Sequence, residues 1–182
     1  MQKTVIIING IGGSGKDAVC GITAKHYPAV NVSAIDRIKE AAKLLGWCGA
    51  KDLRDRKFLS DLQDISTEYN DLSVSDMLQK YNEFLDSCTA QILFIHMRKP
   101  ADMKRFVSAV NGLDGRAATL IVNRSSDAGT FGNKADDEVL KYKYDYGFYN
   151  KGNSLEELEQ DFMPLLDRII NEFSMEVQNQ RS

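Results

Sequence analysis

Thr4-Val5-Ile6-Ile7-Ile8-Asn9-Gly10-Ile11-Gly12-Gly13-Ser14-Gly15-Lys16-Asp17 is the stretch whose reading decides the fold. Val5 to Ile8 is a continuous β-branched run, the pattern of a strand buried on both faces. Residues 10–17 carry the spacing GxxxxGK, and a helix is predicted from Lys16 to His26. Glycines let such a loop turn tightly and aim successive backbone N–H groups at one point. The N-terminal end of a helix adds positive potential, and Lys16 adds a full charge. Strand, glycine loop, lysine and helix in that order form a P-loop, which holds the phosphates of a nucleoside triphosphate. The candidate nucleotide-binding residues are therefore Gly10, Gly12, Gly13, Ser14, Gly15, Lys16, Asp17 and Ala18. ATP and Mg²⁺ are the implied cofactors. The eighth position departs from the usual Ser or Thr that ligates Mg²⁺. A carboxylate there, Asp17, holds the metal directly or through water, or else merely favours the first helical turn.

Outward from this unit, apolar runs alternate with helical patterns. Val30 to Ser33, Gln91 to Met97, Ala118 to Val122 and a short segment within Tyr144 to Asn150 read as further strands. Helical spacing joins Ile35, Ile38, Ala42 and Leu45; then Phe58, Leu59, Leu62, Ile65 and Tyr69; then Met77, Tyr81, Phe84 and Leu85. Pro100 suits the first turn of a helix buried through Met103, Phe106 and Val110. Ser154 with Glu157 makes a capping box, and Pro164 predicts a kink or restart in the helix that follows. Residues 124–136 read as a mobile loop, and the tail after about Ser174 as polar and frayed. Strands alternating with helices, without hairpin signals, predict a parallel sheet covered on both faces, a three-layer α/β fold. One domain over residues 1–182 is expected, with a helical substrate-binding region at about 34–89 and a short lid at about 124–138.

The 182 residues carry 43% hydrophobic and 27% charged side chains, and a net charge of −3. That charge supplies no general attraction to nucleic acid or to an anionic membrane, so neither is an expected partner. No apolar run approaches the roughly 20 residues of a membrane span. Met1-Gln2-Lys3-Thr4 has no signal-peptide layout. Cys20, Cys48 and Cys88 are odd in number at unrelated spacings, as thiols of a reducing cytosol would be, and a cytoplasmic location is expected. Two histidines make a zinc site improbable.

Gly12-Gly13-Ser14-Gly15-Lys16-Asp17 resembles the SGKD form of the P-loop found in phage-type deoxynucleoside monophosphate kinases and animal-type phosphomevalonate kinases. Residues 33–42 are similar to the former's segment after the second strand. Phe94-Ile95-His96-Met97-Arg98-Lys99-Pro100 resembles a strand-end pattern of acid, any residue, arginine. Tyr144 to Asn150 with Gly152 and Ser154 to Leu158 looks like that family's closing strand and helix. The resemblance, within the wider nucleoside monophosphate kinase group, implies a five-stranded sheet of order 2-3-1-4-5. This chain places His96 where the family has its acid, and the lid has only Arg124 and Lys134 as charged donors.

Arg98 ends an apolar strand at the sheet edge where ligands of open α/β folds bind, and reads as a clamp on a substrate phosphate or as a surface arginine. Arg124 follows the fourth strand at the same edge, where it would stabilise charge on a transferring phosphoryl group or sit solvated in a loop. Lys16, Asp17, Arg98 and Arg124 are the candidate catalytic residues. Asp36, Arg37, Lys39, Arg54 and Arg98 are the candidate acceptor contacts, each also compatible with a solvated helix face. His96 reads as a satisfied strand-end histidine or as a metal or substrate contact. Trp47 reads as packing or as a base-stacking platform. The expected activity is ATP-dependent phosphoryl transfer to a small phosphorylated acceptor, with a (deoxy)nucleoside monophosphate favoured. The alternative is a nucleotide-binding regulatory module without turnover. A GTPase is disfavoured, because Asn123-Arg124-Ser125-Ser126 lacks the base-reading NKxD pattern.

Overall fold

The computed structural model describes residues 2–50, 52–124, 139–140, 142–152 and 154–176. The elements in chain order are β1 (Gln2–Asn9), α1 (Lys16–His26), β2 (Ala29–Ser33), α2 (Asp36–Leu44), α3 (Leu53–Asn70) and α4 (Leu72–Asp86). They continue with β3 (Ile92–His96), α5 (Pro100–Gly112), β4 (Ala118–Arg124), β5 (Tyr146–Asn150), α6 (Leu155–Phe173) and β6 (Met175–Glu176). The five long strands are parallel in the order β2-β3-β1-β4-β5, as expected.

Alternation along β1 builds two cores. Ile6 and Ile8 join Phe94, Leu120 and Phe148 beneath α1 and α6. Val5 and Ile7 join Leu93 and Ile95 beneath α4 and α5. Both faces of β1 are therefore dry, which explains why its central run Val5 to Ile8 is apolar without alternation. Each such buried isoleucine contributes about 1.5–3 kcal/mol.

Register places the chemistry. Ile8 pairs with His96, which pairs with Ser33, while Asn9 pairs with Ile121 and Arg124 with Asn150. The C-terminal ends of all five parallel strands thus lie along one edge, the edge from which the glycine-rich loop of residues 10–17 rises.

The helix boundaries follow local signals. Ser154 Oγ accepts the Glu157 amide at 3.2 Å, so the capping box opens α6. Asp52 caps α3 by accepting the Asp55 amide at 2.8 Å. Asp71, at φ 56°, both ends α3 and starts α4; a short acidic side chain tolerates that left-handed backbone. Pro100 occupies the first turn of α5.

Two expectations are sharpened and one is corrected. The last long helix runs through Pro164 without restarting. Gln160, whose carbonyl loses its helical partner to the proline, is exposed together with Pro164, so water can take the bond. α3 forms as its spacing predicts, with Phe58, Leu59 and Leu62 half-buried on its apolar face and Ile65 and Tyr69 exposed. α4 carries Val74, Met77, Tyr81 and Phe84 into the second core, and α3 packs on α2 and α4 from outside it. The tail after Ser174 is not wholly frayed, because Met175–Glu176 pairs antiparallel with Gln2 and Lys3. The lid expected at about 124–138 lies outside the described residues except for Arg124. No helix among the described residues is long and apolar enough to cross a membrane.

Candidate phosphate site

The loop after β1 is shaped by close approach as much as by turning. At Gly10 a Cβ atom would lie 2.3 Å from the Val122 carbonyl oxygen of β4, so only glycine fits there. Gly15 stands at φ 101°, and a Cβ there would lie 2.3 Å from Asn150 Nδ2. Gly15 leads directly into α1, whose first residues are Lys16 and Asp17. The Ser14 side chain is fully buried, and its Oγ has no hydrogen-bond partner among the described residues.

Lys16 folds back over the loop: Nζ donates to the carbonyls of Gly10 at 2.6 Å and Ile11 at 3.0 Å. These two carbonyls fix the ammonium group over the loop backbone. Asp17 is exposed in the first turn of α1, and Ala18 is half-buried against the first core.

Arg124, at the end of β4, reaches this loop. Its Nη1 donates to the Gly13 carbonyl at 3.4 Å, and its guanidinium lies on Gly152, where a Cβ would be 3.2 Å from Nε. Asn150 also reaches it, donating from Nδ2 to the Ser14 carbonyl at 2.9 Å. Sequence reading passed over Asn150; its one clue is its place at the end of the closing strand.

The ring of His96 is half-buried beside α1. Its Nε2 lies 3.4 Å from Asn31 Oδ1 and 3.9 Å from Cys20 Sγ. Burial lowers its pKa from the usual 6.5; the charges of Asp17 and Asp36 oppose this, and those of Lys16 and Lys39 add to it. Four predicted site residues from two helices therefore act on one imidazole. Burial, reinforced by Asp17, pushes the Cys20 thiol up to about 12, so it is an inert packing group rather than a nucleophile.

On α2, Asp36 Oδ2 accepts the Ser33 amide at 3.0 Å, and Lys39 pairs with Asp36 at 3.5 Å. Arg37 Nε lies 3.1 Å from Oδ1 of the buried Asp76. Arg98 is exposed just beyond β3, with its backbone carbonyl held by Asn9 Nδ2 at 3.3 Å. Arg54 stands exposed in the first turn of α3. Trp47 is half-buried, with its indole nitrogen buried and no partner for it among the described residues. Among the described residues, no three His, Cys, Asp or Glu side chains converge as metal ligands. A cavity of about 160 Å³ lined by Gln2, Thr4, Tyr27, Gln91, Ile92 and Ile170 lies at the other end of the sheet and holds no charged side chain.

No family model matches this chain, and no curated protein matches it. Among solved structures it is similar to a cysteine-to-alanine mutant of an APS kinase from Mycobacterium tuberculosis. The identity is 14%, the TM-score 0.43, and the match covers 91% of this chain and 98% of that one. The same APS kinase in complex with AMPPNP and APS matches at 12% identity and a TM-score of 0.44, over 91% and 98%. An unliganded sugar kinase from a Janibacter species matches at 13% identity and a TM-score of 0.45, over 91% and 95%.

Proposed function

We propose that this protein transfers the terminal phosphoryl group of ATP to a small phosphorylated acceptor, with a (deoxy)nucleoside monophosphate as the favoured class. The observation that carries this reading is the loop of residues 10–17, rising from the end of β1, with Lys16 folded across it and Arg124 bonded to its Gly13 carbonyl. Two cations on one concave backbone suit a polyphosphate whose charge must be held and then redistributed.

In this reading the loop amides and the start of α1 hold the β- and γ-phosphates. Lys16 exchanges its two carbonyl partners for phosphate oxygens. Arg124 follows the phosphoryl group as charge moves onto it. Arg98 holds the acceptor's phosphate, together with Arg37, Lys39 or Arg54. Asp36 keeps the start of α2 in place through the Ser33 amide. Asp17, exposed in the first turn of α1 beside the loop, offers the hard carboxylate oxygens that Mg²⁺ takes. Mg²⁺, when bound, neutralises phosphate charge, and Asp17 is the residue that would hold it. Positioning and charge account for such a reaction without a covalent intermediate.

The test is ADP formation from ATP and Mg²⁺ with a panel of nucleoside monophosphates and other phosphorylated small molecules. At least one acceptor should give turnover that Lys16→Ala abolishes. ATP binding without ADP formation, in single-turnover as well as steady-state assays, overturns the kinase reading. It would favour a regulatory nucleotide-binding module, for which the imidazole of His96 in place of a strand-end carboxylate is the supporting observation.

A further inference from the structure

β5 ends on Asn150, which is only 6% exposed and has both ends of its carboxamide engaged. Nδ2 donates to the Ser14 carbonyl at 2.9 Å, and Oδ1 accepts the Gly152 amide at 2.9 Å. The first bond joins residues 136 positions apart. A peptide unit is planar and trans, so its C=O and the following N–H point in opposite directions. Drawing the Ser14 carbonyl toward β5 therefore turns the Gly15 amide away from β5. In a phosphate loop that opposite side is the concave one, where the amides meet the anion.

The fit is close from both sides. A Cβ at Gly15 would fall 2.3 Å from Asn150 Nδ2, so the carboxamide lies directly against that peptide. The turn that starts at Asn150 also bears Gly152, on which the Arg124 guanidinium lies while it donates to the Gly13 carbonyl. The ends of β4 and β5 thus hold two successive loop carbonyls, those of Gly13 and Ser14.

We propose that Asn150 is a positioning residue of the phosphate site: by holding the Ser14 carbonyl it aims the Gly15 amide at the bound phosphate. This rests on the phosphate-binding reading given above. A carboxamide suits the task because it donates to one backbone carbonyl and accepts from another backbone amide without adding charge beside an anion. The loop then keeps its anion-binding shape before ligand arrives, so binding does not have to supply that order.

Inorganic tripolyphosphate is the probe, added to ¹⁵N-labelled full-length protein. In the wild type the Gly15 amide resonance should move strongly on titration. Asn150→Leu keeps the volume and removes the donor. It should weaken tripolyphosphate binding by about tenfold or more and abolish most of the Gly15 shift, and Asn150→Ala should do the same if the leucine disturbs folding. Binding within twofold of wild type by a folded variant, with the Gly15 shift retained, overturns the inference while leaving the phosphate site intact. A wild-type Gly15 amide that ignores bound tripolyphosphate overturns it without any variant. Failure of the wild type to bind tripolyphosphate or ATP overturns the phosphate-site reading itself, and this inference with it.

Discussion

The carboxamide of Asn9 ties the glycine-rich loop of residues 10–17 to the segment that carries Arg98: Oδ1 accepts the Gly10 amide at 2.9 Å, and Nδ2 donates to the Arg98 carbonyl at 3.3 Å. Asn9 is buried, 1% exposed, at the last position of β1. Asn9→Leu would leave a buried amide and a carbonyl without this partner, at a cost of about 1–3 kcal/mol. Urea denaturation should show that loss with an unchanged m-value; a loss under about 0.5 kcal/mol would mean that water takes both bonds.

Arg98 itself is exposed, so truncating its side chain leaves the Asn9 bond to its backbone in place. Arg98→Ala should raise the acceptor KM by about tenfold or more, the value of one lost charge-assisted contact, with the KM for ATP little changed. Equal effects on both substrates would assign Arg98 to structure rather than to the acceptor.

Asp76 gives a pH-dependent prediction. It is 5% exposed on α4, and burial raises its pKa above the usual 3.8. The charges of Arg37 and Lys80 oppose the rise, and those of Asp36 and Glu40 add to it. The native state therefore keeps this proton to higher pH than the unfolded chain does. Stability falls as pH rises from about 3.8 through the native value, and the cost persists at neutral pH. Asp76→Asn should raise the unfolding midpoint at pH 7, with the gain fading as pH drops below 3.8. A lower midpoint at pH 7 would show that pairing with Arg37 outweighs burial.

Parts of the fold were legible because their causes are local. The run Val5 to Ile8, the glycines before Lys16, Pro100 and the Ser154–Glu157 box each act within a few residues: the run forms the centre of β1, and α1, α5 and α6 begin where the other signals stand. Pro164 does not divide its helix, and whether it would depended on whether the orphaned carbonyl is wet, which is a property of the helix's position and not of its sequence. The periodicity of α3 marked a helix that forms, but an apolar stripe states only what a helix can bury, and the neighbours decide how much of it they cover.

The sequence by itself determined the glycine-rich loop between β1 and α1 and the alternation of strands and helices, because backbone sterics, helix polarity and apolar spacing are read over short distances. Only the tertiary structure decided which side chains hold that loop. Asn150 meets Ser14, Arg124 meets Gly13 and Asn9 meets Arg98 because strand order brings five strand ends to one edge. It also set Arg37 against Asp76. An asparagine or arginine looks the same in sequence wherever it stands. Its partner is fixed by register and burial across the sheet, and those exist only once the sheet has formed.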